Sequence, residues 1–154
     1  MGKDYLKTLE YVGFTARLKR LSDTLIYDAK EVYKQLDLEI EPNWHVIILL
    51  LKKEEKLSVT EISKKLGFSH PAVIKITRKM KEKGFLNSVT DKTDSRKQLL
   101  SLSEKTIQCL PALEQQWDLI QKVIKEFVSP SFLKELDKTE DKLSEKSLLE
   151  RVIK

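Results

Sequence analysis

The sequence predicts a mainly α-helical fold that contains one small β-hairpin. Near each end of the 154-residue chain, apolar residues recur at spacings of three and four, which is typical of long amphipathic helices. Between these stretches lie two short helical segments joined by a glycine-containing turn, and two extended runs follow them. An apolar content of 40% is sufficient for a folded core.

Two helices are predicted before the middle of the chain. The first is long, and its near-heptad apolar spacing indicates that it packs against a partner helix. The second is the segment EPNWHVIILLLKKEEK, opened by Pro42 and buried on most sides. Its β-branched residues would also suit a strand, but its length favours a helix. The apolar positions of the first helix are Phe14, Leu18, Leu21, Leu25, Val32 and Leu36.

The segment LSVTEISKKLGFSHPAVIKITRKMKEKGFL predicts two helices and a tight turn. Ser58 and Glu61 have the spacing of a capping box, and Gly67 is placed to end the short helix that follows. After about three residues, Ser69 or His70 is placed to cap a second helix that runs to Lys83. Two helices connected in this way form a helix-turn-helix.

The second of these helices is predicted to have one buried and one exposed face. Val73, Ile76 and Met80 fall at helical spacing on the buried face. The opposite stripe combines cations, which donate to guanine acceptors or phosphates, with an isoleucine suited to a thymine methyl group. This stripe consists of Pro71, Ile74, Lys75 and Arg78, with His70 and Lys79 beside it.

A β-hairpin is predicted from the runs FLNSV and QLLSL. The connection from Thr90 to Lys97 is polar, free of glycine and much longer than a reversal of the chain requires. Placed after the helix-turn-helix, the hairpin is a wing whose cations reach the minor groove or the phosphate backbone. Two interpretations of Asp91 and Asp94 stay open: at least one of them holds a cation, either Arg96 or a basic residue of the recognition helix, or both only form the turn.

The remaining chain predicts two further helices. One begins at Ser103 and contains Pro111, which is expected to bend it. Ser129 and Pro130 cap and open the last helix. The apolar positions of the Ser103 helix are Ile107, Leu110, Leu113, Trp117, Ile120, Ile124 and Phe127.

The net charge of +5 is concentrated in the middle of the chain. Residues 52–105 contain 14 Lys and Arg against 7 Asp and Glu, whereas the segments before and after them each carry a charge of −1. Taken alone, this surplus favours a solvated lysine-rich surface. Together with the helix-turn-helix and the wing, it favours binding to a polyanion such as DNA.

Several classes of protein are not expected from this sequence. The longest apolar run, VIILLL, is far shorter than a membrane span, and the first residues lack the apolar region of a signal peptide, so we expect a cytoplasmic protein without membrane contact. His45 and His70 lack metal-ligand spacing, and no cofactor or metal is predicted. We expect no enzyme, because no nucleophile, phosphate loop or perturbed carboxylate pair is recognisable.

These elements and residues resemble the MarR family of bacterial transcriptional regulators, which have a winged helix-turn-helix. The family wing reads D-x-x-D-x-R, here Asp91, Asp94 and Arg96, and is followed by a strand end that corresponds to LSLSEKT. Ser103 and Thr106 stand where the family usually has Thr and Gly. The segments EPNWHV, GFSHPAV and CLPALEQQW further resemble the regulator half of proteins that join such a domain to an acetyltransferase; that activity is not expected here.

The resemblance implies a homodimer in which two winged modules bind a pseudo-palindromic operator in double-stranded DNA, with residues 1–40 and 103–154 as the helical dimerisation region and 41–102 as the DNA-binding domain. It also implies a repressor relieved by a small aromatic or anionic effector. Ala72 and Ile74 replace the Thr of many members, and Ser95 replaces a frequent Arg, so we expect either weaker direct readout or a different preferred operator. The implied DNA contacts are Ser69, His70, Pro71, Ile74, Lys75, Arg78 and Lys79 in the recognition helix and Lys92, Asp94, Ser95, Arg96 and Lys97 in the wing; the implied effector pocket contains Phe14, Arg17, Trp44, His45 and Trp117.

Three alternatives stay open at this point. The winged fold is also compatible with a protein-interaction adaptor that lacks specific DNA binding. Trp44 and Trp117 suit a hydrophobic core as well as an effector pocket. Cys109 is the single cysteine, and a structural role is favoured over a redox role because a second cysteine is lacking.

Overall fold

The winged helix-turn-helix is built from three helices and a three-stranded antiparallel sheet. The computed structural model describes residues 2 and 4–153. Two compact units make up the chain, residues 1–106 and 107–154. The described elements are α1 (Tyr5–Thr8), α2 (Phe14–Gln35), α3 (Trp44–Glu54), β1 (Leu57–Ser58), α4 (Val59–Leu66), α5 (His70–Glu82), β2 (Leu86–Thr90), β3 (Gln98–Leu102), α6 (Glu104–Ile124), α7 (Pro130–Glu145) and α8 (Leu148–Val152).

The predicted fold class is confirmed, and most helix ends fall where the capping residues predict them. Ser58 and Glu61 form the capping box of α4, and Gly67 follows that helix with a φ of 67°, in the left-handed region that suits glycine. Ser69 caps α5, whose first turn contains Pro71. Pro111 lies inside α6 without ending it.

Four features differ from the sequence predictions. The helix α3 begins at Trp44, because Pro42 lies in the turn before it. The short helix α1 precedes the predicted first helix. The predicted last helix is two helices, since Ser147 and Glu150 form a capping box that starts α8. The two-residue strand β1 was not predicted.

The sheet connects the wing to the helix-turn-helix. Its strand order is β1-β3-β2, and both pairings are antiparallel. In β3, Leu100 pairs with Leu57 of β1 on one side and with Ser88 of β2 on the other. The wing is therefore attached at its base to the residues that lead directly into α4.

The core of the first unit lies among α3, α4, α5 and the base of the wing. Ile47, Ile48 and Leu51 of α3 are almost fully buried, as are Ile62 of α4 and Met80 of α5. The indole ring of Trp44 meets the ring of Phe85 edge-on, with 5.2 Å between the ring centroids. This apolar core fixes the helix-turn-helix and the hairpin relative to each other.

A buried hydroxyl network fixes the start of α6. The side chain of Ser103 donates to the carbonyl of Gly84 at 2.6 Å, and the side chain of Thr106 donates to the carbonyl of Phe85 at 2.6 Å. Ser103 also accepts the backbone N–H of Thr106 at 3.2 Å. The two residues that depart from the family pattern thus satisfy the buried backbone groups between α5 and β2.

Over residues 2 and 4–153, every helix is too short or too polar to cross a membrane.

Candidate nucleic-acid interface

The start of α5 is fixed by the turn that precedes it. The side chain of Ser69 accepts the backbone N–H of Ala72 at 3.4 Å. From the preceding helix α4, the hydroxyl of Ser63 donates to the carbonyl of Phe68, in the turn, at 2.5 Å. The turn between the two helices is therefore held by side chains from both sides, which sets the direction in which α5 projects.

One face of α5 is buried and the other is exposed, as predicted. Val73, Thr77 and Met80 are buried, and Ile76 is only half-buried, contrary to its predicted place in the core. The Thr77 hydroxyl tolerates burial because it donates to the carbonyl of Val73 at 2.8 Å. The predicted contact residues on the opposite face are all exposed: Ser69, His70, Pro71, Ile74, Lys75, Arg78 and Lys79.

The exposed stripe combines positive charge with one apolar side chain. Ile74 is 45% exposed, and Lys75 and Arg78 are exposed one and four positions further along α5. Lys and Arg donate to guanine acceptors and phosphate oxygens, while an aliphatic group contacts the thymine methyl. This stripe therefore has the chemistry of a helix that reads a DNA groove.

Two cations of α5 have acidic neighbours. Lys79 Nζ lies 3.0 Å from Oε1 of Glu41, and Arg78 Nε lies 3.8 Å from Oε1 of Glu82. Both pairs are largely exposed to solvent, where ion pairs contribute only about 0–1 kcal/mol. Breaking either ion pair so that the cation can bind a DNA phosphate therefore costs little free energy.

The wing tip is an ordered turn rather than an open loop. The backbone N–H of Asp91 donates to the carbonyl of Lys97 at 2.8 Å, and the N–H of Lys97 donates to the carbonyl of Asp94 at 2.9 Å. The Asp91 carboxylate accepts the hydroxyl of Thr93 at 2.6 Å and its backbone N–H at 2.7 Å. These bonds, led by the Thr93 hydroxyl, lower the pKa of Asp91. Asp91 is therefore a turn-forming residue.

Asp94 agrees with the interpretation that an aspartate holds a cation, and it forms the turn as well. Its Oδ1 accepts the backbone N–H of Arg96 at 3.0 Å, as in a turn, and lies 3.4 Å from the Arg96 Nε. The Arg96 side chain is nevertheless 91% exposed. Lys92 and Ser95 are also exposed. The tip thus presents Lys92 and Arg96 to solvent on a turn that the two aspartates hold.

Lys97 differs from the other predicted wing contacts because it is bound to α4. Its Nζ lies 3.1 Å from Oε1 of Glu61, and the side chains of the two residues are 37% and 41% exposed. The other Glu61 oxygen accepts the backbone N–H and the hydroxyl of Ser58, both at 2.7 Å. The two Ser58 bonds and then Lys97 lower the pKa of Glu61 to about 2.

A cleft of about 540 Å³ lies between the start of α4 and the wing. It is bordered by both signs of charge, with Lys64 and Arg96 as exposed cations and Glu61 and Asp94 as carboxylates. The predicted effector residues Phe14, Arg17, Trp44, His45 and Trp117 do not line it. Its full lining is Ser58, Val59, Thr60, Glu61, Lys64, Asp94, Arg96, Lys97 and Gln98.

The predicted effector-pocket residues have different environments. Phe14 and Arg17 are exposed on α2. Trp44 is only 2% exposed and serves the core of the first unit. His45 is half-buried, and its Nδ1 hydrogen-bonds to the carbonyl of Pro42. Trp117 is half-buried in α6, in the second unit.

The potential metal ligands of the described residues do not gather into a metal centre. Within the described ranges, 2 and 4–153, the structure has no cluster of three or more His, Cys, Asp and Glu that could hold a metal ion. His70 lies at the start of α5, with its Nε2 3.4 Å from the hydroxyl of Thr60. Cys109 is half-buried in α6.

The depressed pKa of Glu61 predicts a specific loss of stability in acid. The folded state favours the carboxylate, so its contribution is complete above the ordinary pKa of 4.5 and is lost as the pH falls towards 2. Because the carboxylate is partly exposed, we expect solvent screening to limit this contribution to about 1 kcal/mol. Chemical denaturation from pH 5 to pH 2 should show a shallower loss of the free energy of unfolding in Glu61→Gln. An unchanged pH dependence would contradict this assignment.

Comparison with protein families places this module in a known group. Residues 38–97 match the MarR family, a segment that includes α3, the helix-turn-helix and the wing up to its last cation. Comparison with curated proteins gives no match.

Solved structures with the same fold cover most of the chain. An organohalide-sensing transcriptional regulator in its 2,4-dichlorophenol-bound form has a TM-score of 0.75 and 18% identity, with 97% of this chain and 88% of that chain covered. The Staphylococcus aureus MepR–DNA complex has a TM-score of 0.69 and 17% identity, with 86% and 96% covered. A MarR/EmrR family regulator from Acinetobacter has a TM-score of 0.68 and 23% identity, with 86% and 92% covered.

Proposed function

Because residues 38–97 match the MarR family, we propose that this chain is a dimeric, sequence-specific regulator of transcription that binds double-stranded DNA. The observation that carries the proposal is the exposed stripe of Ile74, Lys75 and Arg78 on a helix whose opposite face is buried. Its positive charge and its apolar group suit base edges and phosphates. The MepR relative, solved as a DNA complex, supports this use of the fold.

The recognition helix and the wing have separate tasks in this proposal. The exposed face of α5 enters the major groove, where Lys75 and Arg78 read base edges. Lys92 and Arg96 extend from the wing to the adjacent phosphates or minor groove. Residues 41–102 constitute this DNA-binding domain.

We propose that residues 1–40 and 103–154 join two copies of the chain. The predicted seam of α2 is exposed in the single chain at Phe14, Leu18, Leu21 and Leu36, and so are the apolar side chains of α8. Apolar faces of this extent favour burial against another copy. A two-fold dimer places two recognition helices over the half-sites of a pseudo-palindromic operator.

We further propose that the protein is a cytoplasmic bacterial repressor whose DNA binding is relieved by a small effector. The relative that was solved with 2,4-dichlorophenol supports an aromatic or anionic ligand. In the first unit, the exposed Phe14 and Arg17 supply an aromatic surface and a cation for such a ligand. We expect a bound effector to weaken the affinity for the operator.

An in vitro selection tests the proposal, because it finds a preferred DNA sequence among random ones. The purified chain is incubated with random DNA duplexes, and the bound fraction is amplified and sequenced over several rounds. We expect enrichment of an inverted repeat with half-site centres about 10 base pairs apart, one turn of the double helix. Recovery of an unenriched pool would contradict sequence-specific recognition and direct attention to protein partners.

Lys92→Ala is expected to weaken binding to all DNA sequences to a similar extent. Lys92 is exposed at the wing tip and has the position of a phosphate contact, so its loss from both copies of the dimer should reduce the salt dependence of binding by about two released counterions. Titration of the selected duplex and of a shuffled duplex over a range of salt concentrations measures this slope. A loss confined to the selected duplex would instead assign Lys92 to base recognition.

A further inference from the structure

We propose that Glu61 positions the wing for DNA by holding Lys97, and that Lys97 supports the wing instead of contacting phosphate. The inference rests on the proposed DNA-binding function and deepens it. It changes the role that the sequence gives to Lys97 and adds Glu61, a carboxylate, to the residues on which DNA binding depends.

The two oxygens of Glu61 have separate partners. Oε2 accepts two hydrogen bonds from Ser58, which fix the carboxylate to the start of α4. Oε1 accepts the ammonium group of Lys97 at 3.1 Å. Because Ser58 also lies in β1 and pairs with Leu99 of β3, the Glu61 carboxylate is part of the junction between the helix-turn-helix and the wing.

Lys97 connects the Glu61 carboxylate to the wing tip, through its side chain on one side and its backbone on the other. Its backbone N–H and carbonyl make the two hydrogen bonds, to Asp94 and from Asp91, that close the turn. The pairing of β3 with β1 reaches only as far as Leu99, so the side chain of Lys97 contacts α4 further out along the wing than that pairing extends. A fixed Lys97 therefore fixes the turn that presents Lys92 and Arg96.

Simple electrostatics and positioning predict opposite results for Glu61→Gln. The substitution removes a negative charge from a basic region, so electrostatics alone predicts tighter DNA binding. Gln at this position of a capping box still accepts the bonds of Ser58, which preserves α4. It lacks the charge that holds Lys97, so a loss of positioning predicts weaker binding.

The chain provides a matched control in Glu54. Its Oε1 lies 3.0 Å from Nζ of Lys65, in a partly exposed ion pair like that of Glu61 and Lys97. Glu54→Gln removes the same charge from the same basic segment, residues 52–105. The ion-pair partner of Glu54, Lys65, lies in α4 and not in the wing. We expect Glu54→Gln to bind DNA at least as tightly as the wild-type chain.

The test is a double-mutant cycle of Glu61→Gln and Lys97→Met, read out as affinity for the selected duplex at several salt concentrations. We expect each single variant to bind about three- to tenfold more weakly and the double variant no more weakly than Lys97→Met. We also expect Lys97→Met to keep the wild-type salt slope. Tighter or unchanged binding by Glu61→Gln, or loss of about two units of slope in the Lys97→Met dimer, one for each copy, would overturn the proposal.

A second readout does not require DNA. Hydrogen exchange of the wing peptide, residues 86–102, should become faster in Glu61→Gln and Lys97→Met and stay unchanged in Glu54→Gln. If the wild-type chain bound no DNA, the proposed function would fail while exchange still reported on the attachment of the wing. If the chain bound DNA and exchange was the same in all variants, only the positioning role of Glu61 would fail.

Discussion

Arg78→Ala combined with Arg96→Ala is expected to lower the affinity for the selected duplex by about 100-fold or more. Arg78 lies on the exposed stripe of α5. The side chain of Arg96, at the wing tip, is 91% exposed. A base contact contributes about 1–3 kcal/mol, and a phosphate contact adds a salt-dependent share. Each copy of the dimer loses both contacts, so the loss of affinity is expected to be large.

The matched control removes the same number of charges elsewhere. Lys122 and Lys138 are exposed on α6 and α7, outside the proposed DNA-binding domain, and Lys122→Ala with Lys138→Ala should bind almost as tightly as wild type. Fluorescence anisotropy with labelled duplex measures all the variants under one condition. Equal affinities of the wild type and the Arg78/Arg96 double variant at physiological salt would contradict the proposed interface.

Leu149→Glu is expected to convert the protein from a dimer to a monomer. Leu149 of α8 is 66% exposed in the single chain, so the substitution leaves the core of that chain intact. In a two-fold interface, both copies lose about 1.5–3 kcal/mol of leucine burial and acquire a carboxylate in an apolar contact. The dimer dissociation constant should therefore rise by about 100-fold or more.

Sedimentation velocity over a range of protein concentrations measures this change. Val89→Glu provides the control, because it places the same charge at an exposed apolar position of the wing and should leave the dimer intact. A wild-type chain that is monomeric at all concentrations, or a Leu149→Glu variant that is as dimeric as wild type, would contradict the proposed dimerisation region. Loss of the dimer should also weaken operator binding, since the two half-sites are then bound separately.

Local signals in the sequence were sufficient to locate the helix-turn-helix and the wing. Ser58 and Glu61 define the start of α4, and Gly67 defines its end, because these positions require particular side chains or backbone angles. The hairpin was predictable because the apolar period changes from helical to extended after Gly84. These signals depend on neighbours within a few residues of each other.

The strand β1 and the course of burial along α5 have no comparable local signal. The strand β1 contains two residues, Leu57 and Ser58, which is too short for an alternating pattern. The predicted burial of Ile76 was wrong because burial continues along α5 through Thr77, a polar residue whose hydroxyl is satisfied within the helix. The capping box of Ser147 and Glu150 was readable, but the charged segment before it obscured the start of α8.

The attachment of Lys97 to Glu61 illustrates the same limit at the site. The two residues are 36 positions apart, and their contact results from the pairing of β1 with β3. The sequence identifies Glu61 as a capping residue and Lys97 as a wing cation, and both descriptions hold. Only the tertiary structure brings these two roles into one hydrogen-bonded group.

The central claim, sequence-specific binding of double-stranded DNA, is tested most directly by a fluorescence-anisotropy titration of the wild-type chain. The selected duplex and a shuffled duplex of the same composition are compared at about 50 and 200 mM salt. We expect the selected duplex to bind about a thousandfold more tightly or better, with a steep loss of affinity at the higher salt concentration. Equal and weak binding of both duplexes would contradict the claim and leave only a general affinity for polyanions.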